Sequence, residues 1–97
     1  MDFEWDEQKW RENLDEHGVD FADAALIFAH PVLEAEDDRQ DYGEVRLRAL
    51  GHVGEEYYLV VYTWRGEHRR MISAWKGGDH GKRRYQAILT RGIAGQA

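Results

Sequence analysis

Eight consecutive residues, Tyr57-Tyr58-Leu59-Val60-Val61-Tyr62-Thr63-Trp64, restrict this chain's fold more than any other feature. β-Branched and aromatic side chains fill the run, and apolar groups fall on both faces that a strand presents at period two. Such a strand belongs in the middle of a sheet, covered on each side. From Gly43, Glu44, Arg46 and Arg48 alternate with Val45, Leu47 and Ala49, which predicts a half-buried strand with one wet or ligand-facing side. Arg65 and Gly66 make a tight connection to a third strand, His68 to Trp75, giving an antiparallel meander. Gly77, Gly78 and Gly81 with Asp79 interrupt the sheet and lead to a last helix over about residues 79–91, with Tyr85, Ile88 and Leu89 inward and Gly92 at its end.

Upstream the period is helical. Asp6 is a suitable N-cap, Trp5, Trp10, Leu14 and His17 recur at near-helical spacing, and Gly18 stands where a left-handed residue ends a helix. Asp20 caps a second, short helix whose apolar face is Phe21, Ala24, Ala25, Ile27 and Phe28 and which Pro31 stops. Glu34 to Tyr42 carries five acids and reads as an acidic surface loop after a brief edge strand at 32–35; the same carboxylates could otherwise draw a divalent ion. The expected fold is α+β: two N-terminal helices, an antiparallel three- to four-stranded meander and a C-terminal helix, with the helices on one sheet face. At 97 residues it is expected to be a single domain, 1–97.

Charge then narrows the function. Residues 1–64 hold 17 acidic and 5 basic side chains, a balance of −12, whereas residues 65–97 hold 2 acidic and 8 basic, a balance of +6. The cationic end supplies the attraction that nucleic acid needs, unless the two halves neutralise one another across the fold. The absence of cysteine removes disulfides, thiolate metal sites and cysteine nucleophiles, and it suits a reducing cytosol. No apolar run approaches the roughly 20 residues of a membrane helix and the N-terminus is acidic, so a cytoplasmic protein without membrane contact is expected.

Arginine is the first candidate for chemistry. Arg46, Arg48, Arg65, Arg69 and Arg70 cluster on or beside strands, where guanidinium groups could grip a phosphate and stabilise the charge of a phosphorane; cross-strand pairing with Glu44 on a solvated face is the competing role. Cleavage of RNA through its own 2′-hydroxyl needs a base, an acid and a cation, and His52, His68 and His80 lie nearest the basic end. His17 sits where it can satisfy the carbonyls of a helix end, and His80 where a solvated loop residue is expected. Lys76, Lys82, Arg83 and Arg84 form a basic run entering the last helix, of which only two or three can face one strand of RNA. Trp75 is open to burial or to stacking against a base, and Tyr85 shares the apolar stripe of its helix. No metal-ligand spacing, glycine-rich phosphate loop or nucleophile elbow occurs, so neither a metal nor a cofactor is expected.

An ordered series of residues adds a resemblance. Phe3-x-Trp5-Asp6 with Lys9 and Asn13, His17-Gly18-Val19, Phe21, Ala24, Phe28, Pro31, Gly43-Glu44-x-Arg46, Gly51, Thr63-x-Arg65-Gly66, Arg70-x-Ile72-Ser73-Ala74 and Arg83-Arg84-Tyr85 together resemble the BrnT toxin family across nearly the whole chain. That resemblance implies a RelE-like or microbial-ribonuclease-like fold and metal-independent RNA cleavage that inhibits translation. It also implies a BrnA-type antitoxin with a ribbon-helix-helix end, through which operator DNA would be met indirectly, and leaves room for a homodimer in the complex. By position Arg46, Arg65 and Arg70, with His68 or His52 for proton transfer, inherit the catalytic role. Arg48, Arg69, Trp75, Lys76, Lys82, Arg83 and Arg84 are the RNA-binding candidates. Three positions depart from the family pattern: Trp75 in place of an arginine, His30 in place of an aspartate before Pro31, and Gly81 in place of a glutamate. The lost arginine points to an alternative, a weakened or inactive toxin fold acting as a binding module in an antitoxin-repressor complex.

Overall fold

The computed structural model describes residues 2–96, with side chains through residue 89. Its elements are β1 (Phe3–Trp5), α1 (Glu7–His17), α2 (Phe21–Ala24), a 3₁₀ turn (Ala25–Ala29), β2 (Leu33–Glu36), β3 (Leu47–Val53), β4 (Glu56–Arg65), β5 (His68–Lys76) and α3 (Gly78–Gln96). The strands form one five-stranded sheet in the order β1-β5-β4-β3-β2. β2 to β5 make the expected antiparallel meander, with the apolar strand β4 at its centre.

Local chemistry accounts for most boundaries. The Asp6 carboxylate accepts from the amides of Gln8 and Lys9, and Gly18 closes α1 at a φ of 66° with its amide donating to the Leu14 carbonyl. Asp20 caps α2 through the Ala22 amide and also accepts from the Trp10 indole, so one carboxylate joins the first two helices. A bulge between the pairs Val61–Ser73 and Tyr62–Met71 gives β5 one extra residue, so that Trp75 and Ser73 face one side of the sheet but Met71 and Arg69 the other.

Five expectations require correction. Phe3 to Trp5 is a strand, paired parallel to Arg69–Met71, so the sheet is mixed and Trp5 belongs to β1 rather than to the stripe of α1. Long-range pairing with β5 overrides a local pattern of only three residues. The strand expected from Gly43 starts at Leu47, because the preceding segment is held as a loop by side chains. The second helix gives way after Ala24 to a 3₁₀ turn, and Gly92 does not end α3, which continues to Gln96. Helices also cover both sheet faces: α2 and the 3₁₀ turn lie on one, α3 on the other, and α1 runs beside β5.

The main core lies between α2, the 3₁₀ turn and the sheet, where Phe21, Ile27, Val60, Tyr62 and Met71 are fully buried. Each such apolar side chain contributes about 1.5–3 kcal/mol relative to exposure. A smaller core joins α3 to the far face through Leu50, Tyr57 and Tyr85, with Leu33 and Leu59 against it. Asn13 works as a surrogate strand at the open edge of β5: its amide accepts from the Ala74 N–H at 3.0 Å and donates to the Ala74 carbonyl at 2.7 Å and the Val19 carbonyl at 2.9 Å. α1 is thereby locked along the sheet edge.

Candidate functional site

The site begins with a buried acid in the loop between β2 and β3. Asp37 is 3% exposed and accepts from the Arg39 guanidinium at 2.7 and 2.8 Å and from the Tyr42 hydroxyl at 3.1 Å. Those donors, the Arg39 guanidinium above all, outweigh burial and hold its pKa down at about 2. The Asp37 amide donates to the Arg46 carbonyl at 2.7 Å, and the buried Thr63 hydroxyl donates to the Val45 carbonyl at 2.7 Å. The loop is therefore fastened at both ends, and the Arg46 guanidinium rests on the Tyr42 ring 4.1 Å from its centroid. An acidic stretch that reads as a solvated loop is in fact a scaffold for Glu44 and Arg46.

On that scaffold, Glu44 accepts from the Arg46 Nε at 3.1 Å and lies 3.6 Å from Arg65, so one carboxylate serves two guanidiniums. Strand register places more cations on the same side. Arg48 pairs with Val61 and Arg70 with Thr63, and Val61, Thr63 and Arg65 alternate along one face of β4, which is the far face of the sheet. By strand spacing the Cα atoms of Arg65 and Arg70 are roughly 8 Å apart and those of Arg48 and Arg70 roughly 12 Å, within reach of one ligand for side chains this long. Arg70 meets Glu4 of β1 at 2.8 Å. His68 pairs with Arg65 at the mouth of the β4–β5 hairpin and is exposed. Arg46, Arg65 and Arg70 are thus gathered on one surface, each beside a carboxylate.

Other candidates lie elsewhere. Arg69 faces the opposite side of the sheet, where its guanidinium stacks on Phe28 at 4.1 Å, Trp64 at 4.6 Å and Tyr62 at 5.3 Å. His52 pairs with Tyr57, eight residues along β4 from Arg65 or roughly 27 Å. It packs there against the rings of His30, Tyr57 and Tyr85, and its Nδ1 lies 2.9 Å from the Gly54 carbonyl. His52 and His68 cannot serve one phosphodiester. Lys76 is tied to Glu56 at 3.1 Å, which raises its pKa. Lys82 and Arg83 are exposed on α3.

A cavity of about 570 Å³ opens on the far face between the sheet and α3. Its floor is one register row across four strands, Leu33, Leu50, Leu59 and Trp75, and Arg48, His80 and Arg84 stand among its walls. Trp75 and Gly81, two of the departures from the family pattern, both line it.

Sequence reasoning named Glu44 only as a pairing partner for an arginine, not as a member of the site, and it missed Glu4. Glu4 is joined to Arg70 solely by the unforeseen parallel pairing. Among the described residues no group of three or more His, Cys, Asp or Glu is placed to hold a metal ion.

Comparison with known proteins supplies the family. A family model described as the ribonuclease toxin BrnT of type II toxin–antitoxin systems matches residues 5–80, which run from the last residue of β1 through β2 to β5 and stop just inside α3. The crystal structure of the Brucella abortus ribonuclease toxin BrnT is similar, with a TM-score of 0.61 and 29% identity over 81% of this chain and 99% of that one. No curated protein matches. With the match spanning strands β2 to β5 and the loop that carries Glu44, the chain belongs to the BrnT family of ribonuclease toxins of type II toxin–antitoxin systems.

Proposed function

We propose that this chain cleaves RNA on the far face of its sheet, without a metal, and that the Glu44 cluster is the centre of the reaction. The observation that carries the reading is one half-buried carboxylate held between two guanidiniums, with Arg70 and His68 on the same face. Glu44 takes the proton of the 2′-hydroxyl, whose oxygen attacks the adjacent phosphorus. His68, as the imidazolium, returns a proton to the departing 5′-oxygen, leaving a 2′,3′-cyclic phosphate and a 5′-hydroxyl. Protonation of Glu44 removes the counter-charge of Arg46 and Arg65 as the phosphorane gains negative charge, so the guanidiniums act most strongly in the transition state.

In the cell the reading is a toxin of the cytosol that inhibits translation and is neutralised by a BrnA-type antitoxin, whose ribbon-helix-helix end would carry the complex, with the toxin as a homodimer in it, to operator DNA. A second reading, a binding module with weakened catalysis, draws on the ion pairs themselves: Glu44 and Glu4 compete with any phosphate for Arg46, Arg65 and Arg70. One experiment separates the two. RNA incubated with the chain in EDTA is expected to yield fragments with cyclic phosphate ends, and Glu44→Gln to slow this about 10²- to 10⁴-fold with the fold retained. Intact RNA at large excess of folded protein supports the binding module instead.

A further inference from the structure

We infer that the cavity between α3 and the far face of the sheet is a subsite for an unpaired nucleotide, with the base on its apolar floor and the phosphate toward Arg48 and Arg84. The inference rests on the RNA-directed reading above and deepens it. A volume of about 570 Å³ lies in the range of small-ligand sites rather than of packing defects. The floor row ends in Trp75, which is half-buried and offers a ring for stacking, beside Leu50 and Leu59. Around this apolar floor the lining is cationic, with Arg48 and Arg84 beside a Lys76 already paired to Glu56, against the single acid Glu34, which accepts from the Tyr62 hydroxyl. An apolar slot rimmed by guanidiniums complements a base that carries a phosphate, whereas an apolar protein segment would leave those charges without partners.

Two further observations agree. The Arg48 Nε is shielded from solvent and meets no acceptor, a desolvation cost that an anionic ligand on the same guanidinium would offset. The cavity is also continuous with the reaction face. Leu59 on its floor and Thr63 beside Arg70 lie four residues apart on one side of β4, roughly 13 Å, and Arg48 belongs to the row between them. A strand seated in the cavity therefore runs on toward Glu44.

The test is binding that needs no cleavage. A fluorescein-labelled 2′-O-methyl RNA hexamer, which lacks the attacking hydroxyl, is titrated with the full chain and read by anisotropy, and adenosine and uridine 5′-monophosphates compete. Trp75→Ala is expected to weaken hexamer binding about tenfold or more and Trp75→Phe to restore it to within about threefold. Arg84→Glu, an exposed change that leaves the core intact, is expected to weaken it about tenfold and to lower the salt dependence. Competition by either mononucleotide at concentrations near the hexamer's own Kd assigns the cavity to free nucleotides, and a requirement for the strand assigns it to RNA. Unchanged binding in folded Trp75→Ala and Arg84→Glu proteins overturns the inference, even if RNA cleavage is normal. Binding that depends on both residues upholds it, even if the wild-type chain cleaves nothing.

Discussion

Asp37 shows how one residue can organise a site that it does not enter. Its carboxylate holds Arg39 and Tyr42, and Tyr42 carries the guanidinium of Arg46. Because its folded pKa is depressed, the stabilisation is present above the unfolded value of about 4 and is lost as the pH falls toward 2. Thermal melts between pH 5 and 2 are expected to show a loss of stability centred below pH 4 that Asp37→Asn largely removes, at the cost of a lower melting temperature at neutral pH. A parallel acid dependence in both proteins would detach this carboxylate from the loop. None of this is legible in a run of five acids, since only burial singles one of them out. Asn13 was equally hidden: its partner Ala74 is 61 residues away, and an amide in a helix says nothing about a sheet edge. The arginines were easier, because alternation with Val45, Leu47 and Ala49 and their place in the meander set the face on which most of them emerge. Arg69 escaped that logic through the bulge, which shifts the facing of β5 relative to a simple count.

Among the elements, those with strong local signals agree with expectation: α1 between an aspartate cap and a glycine stop, and β4 from its unbroken apolar run. β1 was not legible because three residues are too few to set a period, and its parallel partner lies at the other end of the chain. Packing between elements explains one further sequence feature. At Gly51, a Cβ would meet the Ile27 Cβ and the Val32 Cγ1, both at 2.9 Å, so the 3₁₀ turn approaches β3 closer than any side chain allows. Gly51→Ala is expected to cost about 1–3 kcal/mol and to lower the melting temperature by several degrees. A melting temperature equal to the wild type would mean that the turn yields freely, and that this contact does not fix the layer spacing.

Over the whole molecule, the opposed charges of the two chain segments are partly spent on each other. Arg65 with Glu44, Arg70 with Glu4 and Lys76 with Glu56 each join the acidic first part to the basic last part. Among the described residues, Lys9, Arg48, Arg69, Lys82, Arg83 and Arg84 have no carboxylate within 4 Å; Lys9 is on α1 and Arg69 stacks on the opposite sheet face, and the other four lie along the cavity and α3. The far face thus combines a paired cluster suited to chemistry with a surplus suited to attraction. That division was invisible in the sequence totals, which record charge but not partners. If Arg46, Arg65 and Arg70 act together on one phosphodiester, single-turnover RNA cleavage depends on all three. The Arg46→Ala/Arg65→Ala/Arg70→Ala variant, folded by circular dichroism, is expected to cleave at least about 10³-fold more slowly than the wild type, while a Lys82→Ala/Arg83→Ala control stays within about tenfold. Equal rates in the wild type and the triple variant would mean that the three guanidiniums take no part in cleavage.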